Sequence, residues 1–179
     1  VIFNGLYWYL CLGIEIETEP VELTDEVLGL DVGLKTLVTT SDGTTFENIN
    51  KTTTVKKLER KRKQVQRQMA RRYVKGSKTQ SKNYYRSRDE HLRICRKLTN
   101  IRENHLHQVS RALVKTKPKA IVMEDLKIQK LSKNRRLSKA IQDASWYKLR
   151  TYLTYKAERQ GTEIVLVPST FPSSQICSN

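Results

Sequence analysis

Two acidic residues, Asp31 and Glu124, lie in apolar segments whose patterns are typical of β-strands. Around the first acid, the two-residue period of a strand places Gly29 and Gly33 on the face of Asp31 and the apolar residues on the opposite face. Because glycine has no side chain, a metal ion, a phosphate or another backbone can approach this carboxylate closely. The sequence therefore predicts an uncovered acid on an otherwise buried strand.

The second acid lies in the run from Ala120 to Leu126, where the same two-residue period of a strand assigns each residue to a face. Val122 and Glu124 share one face of this predicted strand, and Asp125 lies on the other. Only one of the two neighbouring acids can therefore point toward Asp31. We predict that it is Glu124.

Two carboxylates on separate strands, in a chain with a large basic excess, suggest a divalent-metal site that acts on a phosphodiester. Mg²⁺, or Mn²⁺ in its place, prefers hard oxygen ligands together with substrate phosphate, and two such ions about 4 Å apart can stabilise both the attacking and the leaving oxygen. A third carboxylate is normally wanted to complete the coordination shells. The remaining candidates, none of them on an obviously suitable face, are Asp125, Asp143, Glu158 and Glu163.

The basic residues are concentrated in one segment, residues 51–117. It holds 22 Lys and Arg against 4 acidic residues, a net charge of +18, whereas the rest of the chain holds 12 against 14, a net charge of −2. A charge run is often only a solvated face, but so one-sided an imbalance favours binding to nucleic-acid phosphates. The residues predicted to contact nucleic acid, two of them beyond this segment, are Arg60, Arg62, Arg67, Arg71, Arg72, Lys75, Lys78, Arg86, Arg135 and Arg136.

The spacing of apolar residues predicts two helices in the basic segment, over residues 52–74 and 82–115. Gly76–Ser77 lies between them, so we expect the helices to form an antiparallel pair. Three tyrosines near this turn could stack on bases or could pack the tip of the hairpin, and the sequence favours neither role. They are Tyr73, Tyr84 and Tyr85.

The rest of the chain is predicted to alternate between strands and one further helix. Residues 6–17 are predicted to form a strand, and the break at Pro20 predicts that residues 1–26 are the end of a preceding β domain and a linker. The other predicted elements are a hairpin completed by Val38 to Phe46, a loop over residues 127–139, a helix over residues 140–160 that ends at Gly161, and a buried strand over residues 163–167.

The three cysteines, Cys11, Cys95 and Cys177, lie far apart and are odd in number. This argues against a disulfide framework and indicates a reducing compartment, so we expect a cytoplasmic protein. No apolar run approaches the length that a membrane span needs, and we expect no membrane partner. The three histidines lack the i and i+4 spacing of a metal-binding pair on a helix, so we predict no catalytic role for His91, His105 or His107.

Four motifs resemble the TnpB family, transposon-encoded proteins long described as transposases that act as RNA-guided DNA endonucleases. The family is similar to the miniature type V CRISPR effectors. The order and spacing of the motifs match that family, and the resemblance covers nearly the whole chain from Leu6 onward. The motifs are GLDVGLK at 29–35, IVMEDL at 121–126, SKAIQDASW at 138–146 and FPSSQICS at 171–178.

The resemblance implies an α/β fold, with an RNase H-like (RuvC) mixed sheet over residues 27–179 and the basic helical hairpin of residues 51–117 inserted into it. In that fold, Asp31 and Glu124 match the first and second catalytic acids of a Mg²⁺-dependent nuclease. The implied partners are a DNA target and a guide RNA, which the basic helices would contact. The resemblance leaves the oligomeric state open.

The family continues past the position of Cys177 into a four-cysteine zinc ribbon and a third catalytic Asp, whereas this sequence ends at Asn179. Cys177 matches the first Zn²⁺ ligand, and residues 169–179 match only the start of the ribbon. We therefore expect the chain to be a fragment of a longer nuclease, cut at both ends. Because the third acid is missing, we expect the fragment to be inactive alone.

Two alternatives belong to other classes of protein. The first is a non-catalytic basic module that binds RNA or DNA, which a metal titration would separate from a nuclease. The second is an actin-like ATPase or a sugar kinase, in which a similar Asp-x-Gly strand holds phosphate. That fold needs a second Asp-x-Gly loop and a Gly-rich adenosine loop, and the seven glycines of this chain do not supply them.

Overall fold

The computed structural model describes residues 1–15 and 21–168, which fall into two compact units. Of the described residues, the first unit holds residues 1–15 and 49–104, and the second holds residues 21–48 and 105–168. Among the described residues, no helix is both long enough and apolar enough to cross a membrane.

The first unit begins with a short antiparallel pair, β1 (Ile2–Phe3) and β2 (Trp8–Tyr9). The strand predicted over residues 6–17 is therefore wrong, because only Trp8–Tyr9 is a strand within the described part of that range. A strand needs a neighbour for its backbone hydrogen bonds, and residues 10–15 pair with no described strand. Their apolar side chains are exposed: Leu10 is 70% accessible and Leu12 is 75% accessible.

Two helices form the rest of the first unit, after a 3₁₀ turn at Ile49–Lys51. These are α1 (Thr53–Arg72) and α2 (Lys82–Lys115), of which the part up to Asn104 belongs to this unit. The Thr52 side chain accepts a hydrogen bond from the Val55 amide at 3.4 Å and so caps α1. Both helices lie within two residues of their predicted boundaries.

The two helices pack in antiparallel fashion, as predicted. Arg72, at the end of α1, donates to the carbonyl of Asn83 at the start of α2, and Arg102 donates to Glu59 near the start of α1. The apolar contact between them is narrow. Its buried residues are Val55, Val65, Ile94 and Leu98, with Ile49, Leu58 and Ile101 packed against them.

The second unit is built on a mixed five-stranded sheet. Its strands are β3 (Val27–Val32), β4 (Thr36–Thr40), β5 (Thr45–Glu47), β6 (Ala120–Asp125) and β7 (Glu163–Pro168), in the order β5-β4-β3-β6-β7. Strands β3, β6 and β7 run parallel, and β4 is antiparallel to both of its neighbours. The predicted hairpin over residues 38–46 and the predicted strand over residues 120–126 are confirmed, the latter at Ala120–Asp125.

Glycine is required where β3 turns into β4. A Cβ atom added to Gly33 would lie 2.9 Å from the Thr36 carbonyl oxygen, a distance that real Cβ atoms do not adopt. The Gly33 amide donates to the Leu37 carbonyl at 3.2 Å and closes this tight turn. The motif that frames Asp31 with glycines is therefore also the motif that reverses the chain.

One face of the sheet is covered by helices, and this contact is the core of the second unit. The fully buried Ile121, Leu149 and Leu153 each contribute about 1.5–3 kcal/mol through burial. The other buried members include Leu28, Leu30, Val38 and Met123 from the strands, and Leu106, Val109 and Leu113 from the last part of α2.

The segment after β6 differs from its prediction in two places. The predicted loop contains a short helix, α3 (Ile128–Leu131), and the predicted helix over residues 140–160 is divided into α4 (Ser138–Ala144) and α5 (Trp146–Glu158). The division falls at Ser145, whose φ of 54° is left-handed and ends α4. Gly161, which has a φ of 82°, lies just past the end of α5, as predicted.

Strand β7 is less buried than predicted. It is an edge strand, paired only with β6 among the described strands, and Leu166 is 43% accessible. An apolar run alone does not distinguish a half-covered edge strand from a central one.

The burial of β6 predicts that substitutions on its two faces have different effects. Ile121→Ala should lower the free energy of unfolding by about 2–5 kcal/mol, because it opens a cavity in the core. Val122→Ala, on the face of Glu124, should cost about 1 kcal/mol. Chemical denaturation of both variants measures the difference, and equal losses would contradict the assignment of the open face.

Candidate functional site

Asp31 and Glu124 lie side by side on the uncovered face of the sheet. In the parallel register, Leu30 is opposite Met123, and the two acids are the next residues on β3 and β6. Neighbouring strands are about 4.8 Å apart, so paired side chains on one face are close neighbours. Both acids are exposed, whereas Leu30 and Met123 point into the core.

Two threonine hydroxyls lie in line with the acids, on the neighbouring strands β4 and β5. Thr39 of β4 is paired with Asp31, and Thr45 of β5 is paired with Thr39. Thr39 therefore presents its side chain on the face of the two acids. On the other side, Glu124 is paired with Val167 of β7. Sequence analysis missed Thr39, although the hairpin register would have placed it opposite Asp31.

The acids line an open cavity of about 380 Å³. Gly29 forms part of its floor, and the Ser41 hydroxyl closes over this glycine by accepting a hydrogen bond from its amide at 3.0 Å. A Cβ atom on Gly29 would lie 3.4 Å from the Ser41 Cβ. Because Gly29 has no side chain, the cavity beside Asp31 stays accessible, as the sequence pattern predicted.

Asp125 has a different environment from Glu124. Its carboxylate accepts a hydrogen bond from Arg150 of α5 at 2.7 Å, and Arg150 also lies over the ring of Tyr147. It does not line the cavity that contains Asp31 and Glu124. The alternation of side chains along β6 therefore separates the two neighbouring acids, and it is Glu124 that shares the face of Asp31.

A third acid does not join the pair within the described residues. Residues 1–15 and 21–168 contain no group of three or more His, Cys, Asp or Glu side chains that could hold a metal ion. Asp143 forms an ion pair with Lys139, and Glu163 lies at the start of β7, four residues before the position paired with Glu124. Cys177, the predicted first Zn²⁺ ligand, lies outside the described residues.

The basic residues of α1 form an exposed stripe on the side opposite its buried face. Arg60, Arg67 and Arg71 are seven and four residues apart, a spacing that aligns them along one helix face, and all three are exposed. Lys75 and Lys78 in the turn and Arg86 on α2 are also exposed. In the second unit, Arg135 and Arg136 are exposed between α3 and α4.

Three of the predicted basic residues have contacts within the hairpin, and one of them, Arg71, donates to the Arg67 carbonyl of its own helix at 3.4 Å. Arg62 forms an ion pair with Glu59 at 3.2 Å, and Glu59 also accepts from Arg102 at 3.1 Å. Arg72 donates to the Asn83 carbonyl at 3.2 Å and to the Ser87 hydroxyl. Arg62 takes its partners from its own helix, whereas Arg72 takes its partners from α2, which the spacing of residues along α1 does not reveal.

The three tyrosines near the turn pack against one another. The ring centres of Tyr73 and Tyr84 are 5.9 Å apart, and those of Tyr84 and Tyr85 are 5.6 Å apart. The Gln80 side chain closes the same turn by bonding both the amide and the carbonyl of Val74 at 2.8 Å. Of the two roles that the sequence left open, packing of the hairpin tip is the one seen here.

Two titratable groups of the hairpin, on neighbouring turns of α2, have shifted pKa values. Partial burial, and then the nearby Arg62 guanidinium, hold the pKa of His91 below its ordinary value of 6.5. Burial raises the pKa of the Cys95 thiol, whose sulfur lies 3.7 Å from His91 Nε2. Neither shift prepares a nucleophile, since the thiol is held in its protonated form.

Two family models match different parts of the chain. Residues 11–135 match the family OrfB_IS605, described as "Probable transposase", and residues 146–179 match the family described as "Cas12f1-like, TNB domain". A "Putative RNA-guided DNA endonuclease" of Streptomyces pristinaespiralis is 34% identical over 170 residues, which are 95% of this chain and 40% of that protein.

Two further relatives carry similar names. "Putative RNA-guided DNA endonuclease InsQ" of Escherichia coli strain K12 is 33% identical over 187 aligned positions, covering 96% of this chain and 44% of that protein. "Putative RNA-guided DNA endonuclease MT2953" of Mycobacterium tuberculosis is 30% identical over 165 residues, covering 88% of this chain and 35% of that protein. The chain thus spans about two fifths of the length of the curated relatives it matches.

The second unit therefore has a mixed sheet with paired acids on its exposed face, and the first unit contains a strongly basic helical hairpin. The chain belongs to the OrfB_IS605 family, whose description is "Probable transposase". This confirms the resemblance carried by the four motifs and sets aside the kinase-like alternative. The catalytic role of individual residues stays a prediction.

The lowered pKa of His91 predicts acid sensitivity of the hairpin. Between pH 7 and 5.5 the unfolded chain takes up a proton on this histidine more readily than the folded chain, so stability should fall as the pH drops below about 6.5. Because the ring is only partly buried, we expect this loss to be small. Denaturation at several pH values should show a shallower dependence for His91→Asn, and an unchanged slope would contradict the assignment.

Proposed function

We propose that the second unit is the RNase H-like core of a RuvC-type nuclease domain and that Asp31 and Glu124 bind the divalent ion of its active site. The observation that carries this proposal is the placement of the two carboxylates on adjacent parallel strands, on the open face of the sheet. The chain would then contribute the metal-binding core of an RNA-guided DNA endonuclease. In this proposal, residues 27–179 belong to the nuclease domain and residues 51–117 are an insertion in it.

The residues present fit Mg²⁺ or Mn²⁺ as part of a ligand set. Two adjacent carboxylates beside the Thr39 hydroxyl supply hard oxygen atoms, and the cavity is open enough for water and phosphate oxygens to complete the coordination. When bound, such an ion polarises the phosphodiester and lowers the pKa of an attacking water. We also propose Cys177 as a Zn²⁺ ligand, which the match of residues 146–179 to the TNB domain family supports.

The protein's own part in this reaction is to hold two negative charges in a fixed position. Asp31 and Glu124 lie on strands whose opposite faces are packed in the core, so the carboxylates are preorganised. Gly29 leaves room for a phosphate backbone beside them, and Thr39 can donate a hydrogen bond to Asp31 or to a phosphate oxygen. These residues would orient the substrate and exclude bulkier groups.

The basic hairpin would bind the phosphate backbone of the guide RNA, or of its heteroduplex with DNA. The relatives are named RNA-guided DNA endonucleases, and the exposed Arg60, Arg67 and Arg71 supply a stripe of charge without sequence-reading geometry. Contacts of this type position a nucleic acid and leave sequence recognition to base pairing.

Metal binding should stabilise this chain only when both acids are present. Without divalent ions, Asp31→Asn should raise the melting temperature slightly, because it relieves repulsion between neighbouring carboxylates. With Mn²⁺ in excess, the wild-type chain should gain stability by mass action, and the variant should not. Differential scanning calorimetry, together with isothermal titration of Mn²⁺, measures both effects.

Asp125→Asn is the matched control, because it removes an equal charge from the adjacent residue on the other face of β6. It should lower the starting stability by breaking the contact with Arg150 and leave the Mn²⁺ response unchanged. A wild-type chain with no response to Mn²⁺ or Mg²⁺ would overturn the metal site and favour the non-catalytic binding module.

Binding to an RNA–DNA heteroduplex should weaken steeply with salt. About five phosphate contacts give a slope near −4 in a plot of log affinity against log salt concentration. Arg67→Gln should reduce the magnitude of this slope by about one, since it removes one exposed contact.

The control for this measurement is Arg72→Gln. It removes the same charge from a side chain that is bonded to Asn83 and Ser87, so it should lower stability with little change in the slope. A flat salt response of the wild-type chain would contradict phosphate binding by the hairpin.

A further inference from the structure

A cavity of about 700 Å³ in the first unit lies between the β1–β2 hairpin and α2. Two tyrosines of the β1–β2 hairpin and three cationic side chains of α2 line it. We call it the tyrosine groove and define it by Tyr7, Tyr9, Arg93, Arg96 and Lys97.

Local geometry explains why these side chains meet. The Asn4 side chain accepts hydrogen bonds from the amides of Leu6 and Tyr7 at 3.1 and 2.9 Å, and Gly5 takes a φ of 89° in the same turn. A Cβ atom on Gly5 would be 3.6 Å from the Leu92 side chain, so the turn lies against α2. On α2, the three cations are three and four residues apart and share one helix face.

The two tyrosine rings hold one of the cations. The Arg96 guanidinium lies 5.2 Å from the ring centre of Tyr7 and 4.8 Å from that of Tyr9. One face of each ring is therefore covered by the guanidinium, and Tyr7 remains 53% accessible.

The charge of the groove is unbalanced. Arg93, Arg96 and Lys97 have no ion-pair partner within residues 1–15 and 21–168. Like charges at this spacing destabilise a helix, so an anion in the groove would relieve repulsion. Two amides, Asn100 and Asn104, line the same cavity and can both donate and accept hydrogen bonds.

We propose that the tyrosine groove binds a single-stranded segment of nucleic acid, with bases stacked on Tyr7 and Tyr9 and phosphates on Arg93 and Lys97. The inference rests on the proposed function only in that the chain binds nucleic acid. Stacking on aromatic rings needs unpaired bases, so a duplex cannot use the rings in this way. Asn100 and Asn104 are placed to contact base edges. RNA and single-stranded DNA share this chemistry.

The test compares oligonucleotides that differ only in strandedness and sugar. Fluorescence anisotropy measures the affinity of the 179-residue chain for a U-rich 15-nucleotide RNA, for DNA of matching sequence, and for the RNA paired to its complement. A variant with both Tyr7→Ala and Tyr9→Ala should lose about 5- to 100-fold in affinity for a single strand. Its affinity for the duplex should change less than twofold.

Trp8→Ala is the matched control, because Trp8 lies between the two tyrosines in sequence and points to the other face of β2, where its ring packs against Phe3 in a tilted arrangement with the ring centres 4.7 Å apart. It should leave the binding of single strands unchanged. Lys57→Ala removes one exposed charge of α1 and should lower the affinity for single strands and for the duplex by the same factor.

A second measurement does not depend on the variants being folded. Photocrosslinking of the wild-type chain to an oligonucleotide that carries 5-iodouridine should label Tyr7 or Tyr9. Crosslinks confined to other aromatic residues, or an equal loss for single strands and duplex in the double variant, would overturn the proposal. A loss for RNA alone would assign the groove to RNA.

The experiments distinguish an error in the tyrosine-groove proposal from an error in the proposed function. If the groove is wrong, the wild-type chain still binds heteroduplex with a steep salt dependence, and the tyrosine variant behaves like the wild type. If phosphate binding by the basic hairpin is wrong, the wild-type chain shows a flat salt response with heteroduplex, while the tyrosine variant still loses affinity for single strands.

Discussion

The parallel pairing of β3 with β6 is the interaction on which the rest of the second unit depends. Parallel strands cannot be joined by a tight turn, so the chain must cross over between them, and here the crossover carries β4, β5, α1 and α2. The same ladder places Leu30 beside Met123 in the core. A slip of one residue on either strand would turn an acid into the core, which is costly without a partner. The packing that stabilises the sheet therefore also sets the position of Asp31 relative to Glu124.

Placing two carboxylates side by side has an electrostatic cost that the fold keeps small. On the open face, water screens the repulsion between Asp31 and Glu124, whereas the same pair in a buried setting would force one of them to bind a proton. Gly29 helps, because its missing side chain keeps the cavity hydrated and accessible. The remaining repulsion is small enough for the sheet to tolerate and is the kind of interaction that a bound cation relieves.

Much of this arrangement follows from local sequence patterns. The parts that do not follow from such patterns depend on residues that are distant in sequence. The period of two along β3 and β6 predicted which acids share a face, and the apolar spacing predicted both helices of the hairpin. The division at Ser145 was not predicted, because a left-handed serine leaves no mark in composition. Likewise, residues 10–15 have the composition of a strand and lack a described neighbour to pair with. The contacts of Arg72 with Asn83 and Ser87 were not predicted, because they need the second helix.

The hairpin uses its few acids internally and leaves its cations outside. Glu59 binds Arg62 and Arg102, and Glu90 binds Lys61, so these carboxylates cross-link the two helices along a narrow apolar contact. The uncompensated charge then lies on the outer surface, where repulsion destabilises the free hairpin most at low salt. Low salt is also where phosphates bind most tightly. A nucleic acid bound there, as proposed, would neutralise this surface and stabilise the fold by mass action, so that folding of the hairpin and binding of the nucleic acid would be coupled through the same charges.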